Sequence, residues 1–307
     1  MKPPVFLALS LGKAFQQKLA ERYEVIADPA LCKSAKAIIT VGTHGADGPY
    51  MDTMPELGII CCLGSGYEGI DVAAATARGI AVTNTVGANA STVADMALAL
   101  LLASIRHVVT GDRLARAGEW RGKNPAPLLF ARGLTGRKVG VLGLGAIGRR
   151  IAERCAAFEA EVGYFNRSKK PDAPWRYFET LPALAEWADI LMVAHRADET
   201  NRHIVNAEVM KALGPAGHIV NISRGSAIDE DALIAALKDG TIAGAGLDVF
   251  EDEPAIRPDL AALPNVVMTP HIGGGTSEAL KAMGDAVIAN IDAFFDGHPL
   301  PNPVTPG

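Results

Sequence analysis

Short apolar runs alternate with helical stretches along roughly the first 90 residues of the chain. Four of these runs have the length and composition of buried strands. They lie at 5–9, 37–40, 59–62 and 80–83. Between the last two, Asp71 is placed to cap a helix over 72–78, and Gly79 is placed to end it. Because strands that alternate with helices pair in parallel, this pattern predicts an α/β domain.

A second alternating series predicts six more strands, the number of a doubly wound sheet. They lie near 138–142, 161–165, 189–194, 217–222, 242–247 and 266–268. Before this series, Ser91 or Thr92 opens a helix whose residues 93–105 are apolar nearly all round. Such a helix must be covered, either between domains or by another subunit. The final helix, over 277–295, follows the completed sheet and is expected to pack on the first domain.

Composition narrows the functional classes. The chain has 307 residues, 49% hydrophobic and 21% charged, enough for two domains with sizeable cores. Its net charge of −5 gives no overall basic field for nucleic acid or an anionic membrane. The four cysteines form no CxxC pair and no His/Cys cluster, so we expect no metal site and a reducing compartment. The run at 5–9 is too short for a membrane span and lacks a signal-cleavage site, so a cytoplasmic protein is expected.

A glycine motif follows the first strand of the second series. The strand ends at Gly143-x-Gly145-x-x-Gly148, and a helix comes next. The first glycine permits a tight turn, the second lets a pyrophosphate approach the backbone, and the third lets helix and strand pack closely. A bare GxGxxG is weak evidence, but the strand–turn–helix context makes it a strong signal of a dinucleotide site. The predicted cofactor contacts here are Gly143, Leu144, Gly145, Ala146, Ile147 and Gly148.

The next strand indicates which dinucleotide is bound. An NAD site usually has a carboxylate about 20 residues after the glycines, where it holds the ribose 2′-hydroxyl. Here the strand ends in Asn166-Arg167-Ser168-Lys169-Lys170, which contains no carboxylate. A guanidinium, a hydroxyl and two ammonium groups suit a 2′-phosphate, so the predicted cofactor is NADP(H). The alternative is a solvated basic loop.

Three later strand ends supply chemistry. One ends in Ser223-Arg224-Gly225, one runs into Glu251-Asp252-Glu253-Pro254, and one runs into Thr269-Pro270-His271. Hydride transfer to a 2-keto acid needs a cation for the substrate carboxylate and ketone, and an acid to protonate the developing alkoxide. It also needs a carboxylate that favours the protonated imidazole. Spacing alone leaves Glu251 and Glu253 equal candidates for that carboxylate.

With these motifs the chain resembles the D-2-hydroxyacid dehydrogenase family, and within it the glyoxylate/hydroxypyruvate reductases, over nearly its whole length. The resemblance rests on GLGAIG (143–148), NRS (166–168), NISRG (221–225), LDVFEDEP (247–254), TPHIGGGT (269–276) and LGSGYEGIDVAAATARGIAVTN (63–84). It implies two doubly wound parallel-sheet α/β domains, a Rossmann-type cofactor domain (99–271) inserted into a flavodoxin-like substrate domain (1–98 and 272–307), with a cleft between them.

The resemblance also implies roles for single residues. Arg224 would bind and polarise the substrate, Glu253 would pair with the imidazole, and His271 would be the general acid/base. Backbone amides around Leu63-Gly64-Ser65-Gly66 would bind the substrate carboxylate, as an anion nest can. The remaining expected cofactor contacts are Asn166, Arg167, Ser168, Ile222, Ser223, Arg224, Asp248, His271 and Gly273. Asp248 either faces the nicotinamide carboxamide or only turns its strand.

Two features depart from or extend the family pattern. His195-Arg196 lies where the family usually has a Pro- or Leu-containing turn. This segment is either a capped surface turn or a contact to a ligand, which would be the cofactor phosphate or the substrate. The apolar helix and the Trp120-Arg121 segment resemble the family's dimer arm, which predicts a homodimer. Trp120 then either caps its own subunit's core or reaches the neighbouring active site.

The sequence therefore predicts an NADPH-dependent reductase of glyoxylate, hydroxypyruvate or a similar small 2-keto acid. A reductase of bulkier keto acids such as hydroxyphenylpyruvate is the alternative among enzymes. A nucleotide-sensing, corepressor-like binding protein is the alternative of another class, and it would need an additional partner-binding segment. A formate or phosphoglycerate dehydrogenase is disfavoured by the short chain and the expected NADP site.

Overall fold

The computed structural model describes residues 2–9, 12–119 and 130–305. The chain divides into two compact units. The first consists of Met1–Ala90 with Gly274–Gly307, and the second of Ser91–Gly273. The domain boundaries predicted from the sequence fell after residues 98 and 271. The predicted Trp120-Arg121 arm lies outside the described residues.

A five-stranded parallel sheet forms the first unit, in the order β2-β1-β3-β4-β5. Its strands are β1 (Pro4–Leu7), β2 (Glu24–Ile26), β3 (Ala37–Thr40), β4 (Ile59–Cys62) and β5 (Ala81–Thr83). Its first helices are α1 (Lys13–Arg22), α2 (Gly48–Asp52) and α3 (Val72–Ala77). This is the flavodoxin-like order. The sequence missed β2, because a three-residue edge strand that is partly exposed has no apolar run.

The helix predicted between β4 and β5 is confirmed as α3. The Asp71 carboxylate accepts a hydrogen bond of 2.8 Å from the Ala74 amide, which satisfies one of the free donors at the start of the helix. The chain leaves the helix through Gly79 at φ +70°, a left-handed conformation that favours glycine.

The second unit contains a seven-stranded parallel sheet in the order β12-β11-β10-β9-β6-β7-β8. Its strands are β6 (Lys138–Leu142), β7 (Glu161–Phe165), β8 (Arg176–Phe178), β9 (Ile190–Val193), β10 (His218–Asn221), β11 (Gly244–Leu247) and β12 (Val266–Met268). Counted within the unit, the order is 3-2-1-4-5-6-7, which is the Rossmann order with one more strand at the edge. Six of the seven strands were predicted. The one missed, β8, is again a three-residue edge strand.

The helices of the second unit cover both faces of this sheet. They are α4 (Ala90–Ile105), α5 (Val108–Ala117), α6 (Ala146–Ala157), α7 (Leu181–Trp187), α8 (Ala207–Leu213), α9 (Glu230–Asp239) and α10 (Pro258–Ala261). The last helix of the chain, α11 (Ser277–Phe295), belongs to the first unit. There Val287, Ile288 and Ile291 are buried against strand residues of the five-stranded sheet, which confirms the predicted return of this helix.

The apolar helix α4 is covered differently from the prediction. Its residues Val93, Ala97, Leu100 and Leu101 are buried in the second unit's own core, together with strand residues such as Val139. Packing within one unit therefore covers this face, rather than a domain boundary or a second subunit. No single described helix is long and apolar enough to cross a membrane. The pair α4–α5, bent by 62°, reaches that length and composition only when its two helices are taken together.

A buried histidine links α4 to the sheet. His218 at the start of β10 is 8% exposed, and its Nδ1 lies 3.0 Å from the Ser104 hydroxyl. Burial lowers the pKa of His218 to about 4, and the charges of Arg137 and His107 act in the same direction. The imidazole is therefore neutral in the folded protein near neutral pH.

This predicts a pH-dependent loss of stability. Between pH 6.5 and about 4 the unfolded chain binds a proton at His218 that the folded protein does not, so the free energy of unfolding falls as the pH is lowered. The contribution is fully present above pH 6.5, and its loss amounts to roughly 3 kcal/mol at pH 4. When the free energy of unfolding, measured with urea, is plotted against pH, its slope should be shallower for His218→Gln than for the wild type. His298→Gln, on an exposed site, should keep the wild-type slope; equal slopes for all three proteins would contradict the prediction.

Candidate active site

The three glycines after β6 occupy three different environments. Gly143 has φ +96°, and a Cβ there would lie 2.4 Å from the Cα of His195. A Cβ on Gly148 would lie 1.9 Å from the carbonyl oxygen of Gly143, so helix α6 can approach the loop only with glycine at this position. Gly145 caps α6, and a Cβ there meets nothing within 4 Å. The open side of the loop thus lies at the helix N-terminus, where amides and the helix dipole favour a phosphate.

The end of β7 is bonded to this loop. The Asn166 Oδ1 accepts a hydrogen bond of 2.7 Å from the Leu144 amide, and the Phe165 carbonyl accepts one of 2.9 Å from Gly143. Asn166 therefore fixes the position of the glycine loop. The next two residues, Arg167 and Ser168, are exposed.

Both segments line a cleft of about 440 Å³. Its third wall is the loop after β9, where Asp198 caps a short 3₁₀ turn over Glu199–Asn201. His195 lies in this wall, with its Nε2 3.3 Å from the Asn201 Oδ1 and its Nδ1 buried without a hydrogen-bond partner in the described part of the chain. Burial lowers the pKa of His195, so this ring contributes no positive charge near neutral pH. The His195-Arg196 segment is thus a capped turn that also lines the cleft.

The predicted guanidinium follows β10. Asn221 shapes this turn: its amide donates to the Arg224 carbonyl at 2.8 Å, and its Oδ1 accepts from the Ser223 amide at 3.0 Å. A Cβ on Gly225 would lie 1.9 Å from the Phe250 carbonyl carbon, so this turn is packed directly against the segment that carries the predicted carboxylate. The Arg224 side chain is partly exposed, while Ile222 and Ser223 are buried.

The imidazole and the carboxylate form a pair. The Nδ1 of His271 lies 2.7 Å from the Oε2 of Glu253, and the Glu253 Oε1 accepts a hydrogen bond of 2.9 Å from the Phe250 amide. Burial alone would raise the pKa of Glu253. The bonds from His271 and Phe250 and the charges of His271 and Arg224 outweigh it, and the pKa of Glu253 is lowered. An ionised Glu253 thus faces Nδ1, which leaves Nε2 of His271 for a substrate.

Asp248 holds the loop that carries this imidazole. Its carboxylate is buried and accepts three hydrogen bonds, from the Thr269 hydroxyl (2.6 Å), the Ile272 amide (3.0 Å) and the Gly273 amide (2.8 Å). His271 itself has φ +51° and bonds through its amide to the Asp248 carbonyl at 2.9 Å. The Asp248 side chain therefore holds the loop after β12 rather than only turning its own strand, and a contact to the nicotinamide stays a prediction.

The other glutamate of the acidic run has a different partner. Glu251 accepts hydrogen bonds from Arg202 and from His203 Nε2, the latter at 2.8 Å. The His203 amide bonds the Ser226 carbonyl at 2.7 Å, so this cluster ties the Arg224 turn to the Glu253 segment. Spacing alone left Glu251 and Glu253 equivalent, the family resemblance favoured Glu253, and the geometry places Glu253 against His271 and Glu251 against His203. The role of His203 was missed, because a surface Arg-His pair gives no distinguishing signal.

The predicted carboxylate-binding turn lies in the first unit. The amides of Leu63 and Gly64 already donate to the Thr40 carbonyl (2.7 Å) and the Thr85 hydroxyl (2.8 Å). Leu63 and Gly64 therefore do not offer their amides to a substrate, contrary to the expectation from the sequence. The next two amides, of Ser65 and Gly66, have no acceptor within the described residues.

Comparison with known proteins identifies the class. The sequence profile described as D-isomer specific 2-hydroxyacid dehydrogenase, NAD binding domain, matches residues 98–273. The chain belongs to this family. It is therefore an oxidoreductase of the 2-hydroxyacid dehydrogenase and 2-keto acid reductase type.

Individual relatives cover most of the chain. It is 41% identical over 88% of its length to a glyoxylate/hydroxypyruvate reductase A of Arabidopsis thaliana, 86% of which is matched. It is 40% identical over 89% of its length to a hydroxyphenylpyruvate reductase of Plectranthus scutellarioides, also matched over 86%. A crystal structure of an NADPH-dependent glyoxylate/hydroxypyruvate reductase from Sinorhizobium meliloti, in complex with NADP and malonate, superimposes with a TM-score of 0.91 at 37% identity, covering 99% of this chain and 97% of the other.

The different surroundings of Gly148 and Gly145 predict different effects for two alanine substitutions in the glycine loop. Gly148→Ala places a methyl against backbone that cannot move aside, so the free energy of unfolding should fall by about 1–3 kcal/mol and dinucleotide binding should be lost. Gly145→Ala faces open space, so it should cost under about 1 kcal/mol of stability and still weaken binding, because the methyl occupies the approach of a pyrophosphate. Urea unfolding and fluorescence titration with the dinucleotide separate the two effects. Equal destabilisation by both variants would refute this reading of the loop.

The two glutamates provide a second matched pair. Glu253→Gln removes the charged partner of Nδ1, so the ring loses a charge-assisted hydrogen bond and kcat for keto acid reduction should fall about ten- to hundredfold. Glu251→Gln leaves the His271–Glu253 contact in place and should keep the wild-type kcat. His271→Ala should reduce kcat by about 10²- to 10⁴-fold. The assignment fails if His271→Ala turns over normally or if the two glutamine variants lower kcat alike.

Proposed function

We propose that this protein reduces glyoxylate, hydroxypyruvate or a similar small 2-keto acid to the D-2-hydroxy acid with NADPH. The observation that carries the proposal is the His271–Glu253 pair, with Arg224 close enough for its charge to act on Glu253. A cation, an ionised carboxylate and an imidazole with one free nitrogen are the groups that a keto acid reduction requires.

Arg224, His271 and Glu253 each have a separate role in this reaction. Arg224 binds the substrate carboxylate and polarises the ketone, which stabilises negative charge on the carbonyl oxygen. His271 donates the proton from Nε2 to that oxygen, while Glu253 at Nδ1 keeps the imidazole oriented. The bound nicotinamide supplies the hydride. In the oxidation direction His271 accepts the proton at the same atom.

A turn of the first unit is proposed as an anion-binding site. The sequence predicted that the amides around Leu63-Gly64-Ser65-Gly66 bind a carboxylate, and the amides of Ser65 and Gly66 are proposed to do so, since those of Leu63 and Gly64 donate inside the turn. The turn is held from several sides, because the Ser65 carbonyl accepts from the Asn84 side chain (3.0 Å) and the Ser65 hydroxyl donates to Asn89 (3.2 Å). Two neighbouring amides in such a fixed turn suit a carboxylate.

The residues at the end of β7 support NADP(H) as the proposed cofactor. Asn166 stands where NAD sites usually have a carboxylate, and its side chain is committed to the glycine loop. Arg167 and Ser168 are exposed on the cleft, as a 2′-phosphate ligand must be. The similar reductase from Sinorhizobium meliloti is described as NADPH-dependent, which supports the same preference here.

The hydroxyphenylpyruvate reductase of Plectranthus scutellarioides, at 40% identity, supports bulkier keto acids as the second candidate substrates. Both candidates use the same three residues and differ only in the volume required beside the keto group. The matching dehydrogenase family and the reductases among its relatives favour an enzyme over a binding protein of the corepressor type.

The cofactor proposal predicts a strong kinetic preference. NADPH should exceed NADH in kcat/KM, and Arg167→Ala should remove much of that preference through the KM for NADPH. Losing one charge-assisted contact costs roughly 1.5–3 kcal/mol, on the order of a ten- to hundredfold change. Rates with glyoxylate, hydroxypyruvate and hydroxyphenylpyruvate, each with both cofactors, test substrate and cofactor together. Equal efficiency with the two cofactors would rule out the NADP assignment, and no turnover with any 2-keto acid would rule out the reductase.

We further propose a homodimer. Helix α5 has none of its residues buried, and its Val108 and Val109 are 54% and 58% exposed. An amphipathic helix with exposed valines suits an interface between two copies. Light scattering at several concentrations should give twice 32.1 kDa, and Val108→Asp together with Val109→Asp should lower the mass. A mass of 32.1 kDa at every concentration would exclude the dimer.

A cytoplasmic location is also proposed. All four cysteines, Cys32, Cys61, Cys62 and Cys155, are buried and form no disulfide bond, as expected in a reducing compartment. Fractionation of the cells that produce the protein tests this directly.

A further inference from the structure

We propose that Arg196 is a second guanidinium ligand for the 2′-phosphate of the cofactor, and therefore a residue that determines the preference for NADP(H). The inference rests on the proposed function, in which Arg167 and Ser168 bind this phosphate. It extends the site to a strand end that the glycine motif and the Asn166-Arg167-Ser168 motif do not include.

The topology brings the two arginines to one cleft. Strand β6, which carries the glycine loop, lies between β7 and β9 in the sheet. Arg167 follows the end of β7 and Arg196 follows the end of β9, so the two residues come from opposite sides of the glycine loop. Both nevertheless line the same cleft of about 440 Å³, together with Ser168. A ligand bound on the glycine loop thus lies in a cleft lined by one arginine from each flanking strand.

The backbone at Arg196 is held in place. The side chain of Asn201 donates from Nδ2 to the Arg196 carbonyl at 3.1 Å and accepts at Oδ1 from the Asp198 amide at 3.0 Å. The Asp198 carboxylate in turn accepts from the Thr200 amide at 3.0 Å. This closed turn fixes where the Arg196 side chain leaves the main chain, which lowers the entropic cost of placing it on a ligand.

The charges in the cleft favour a dianion. Hydrogen bonds from Thr200 lower the pKa of Asp198, and the positive charges of Arg196 and Arg167 lower it further, so both guanidinium groups act on one carboxylate. The charged residues that line the cleft are Arg167, Lys170 and Arg196 against Asp198, an excess of two positive charges. His195 adds none, because burial lowers its pKa. An excess of two matches the charge of a phosphate monoester near neutral pH.

Arg196 could instead lie over the adenine ring or against the 5′-phosphate, as arginines commonly do. These contacts would be made by any adenine nucleotide. A contact to the 2′-phosphate would be made only by a nucleotide that carries it. Two probes, 2′,5′-ADP and 5′-AMP, differ in that group alone and therefore separate the alternatives without any turnover.

The experiment measures the affinity of both probes by calorimetry for the wild type, Arg196→Ala and Arg132→Ala. Arg132 is the matched control, because it lies 3.8 Å from Asp189, which precedes β9, whereas Arg196 follows the end of the same strand. Arg196→Ala should weaken 2′,5′-ADP about tenfold, the effect of one charge-assisted contact at an exposed site, and change 5′-AMP less than about twofold. Arg132→Ala should change neither. Arg196→Lys should recover part of the loss, because the charge remains and the fork geometry does not.

The outcomes that overturn the proposal are distinct. If the wild type binds the two probes equally, both the NADP assignment and the role of Arg196 are wrong. If the wild type prefers 2′,5′-ADP and Arg167→Ala weakens it, but Arg196→Ala keeps the full preference, only the role of Arg196 is wrong. An equal loss for both probes in Arg196→Ala assigns the residue to the adenine or the 5′-phosphate and also overturns the proposal. Far-UV circular dichroism confirms that each variant is folded.

Discussion

The candidate site depends above all on the buried carboxylate of Asp248. A buried charge is costly unless it is fully hydrogen-bonded, and this carboxylate is satisfied only when the loop after β12 folds over it. Its bonds to the Thr269 hydroxyl and to the amides of Ile272 and Gly273 fix that loop. His271 is thereby held in a left-handed conformation from which its ring reaches Glu253. The acid and its partner are thus positioned by a residue that need not touch the substrate.

The same principle recurs along the carboxyl edge of the seven-stranded sheet. Asn166 bonds the glycine loop, Asn201 closes the turn of Arg196, and Asn221 shapes the turn of Arg224. Short amide side chains reach nearby backbone groups that the sheet leaves unpaired, and they hold loops without lengthening them. Flexible polar residues are therefore displayed from fixed backbone, which is what binding and catalysis require of strand-end loops.

The second unit contains two histidine–glutamate contacts, and they have different roles. Glu253 pairs with the partly exposed His271, while Glu251 joins Arg202 and His203 to tie two loops together. The residues of the acidic run are alike in sequence, and no pattern of charge or spacing distinguishes them. What separates them is the direction each side chain takes after the strand ends.

The sequence by itself determined the features that depend on local pattern. Long apolar strands, the glycine spacing at 143–148 and the cap at Asp71 each follow from interactions within a few residues, so their positions were predicted. The tertiary structure decided the rest. Edge strands β2 and β8 form because a neighbouring strand offers hydrogen bonds, and α4 is covered by its own sheet. The amide of Gly64 is taken by Thr85, and such pairings depend on which distant segments meet, a property that no local pattern records.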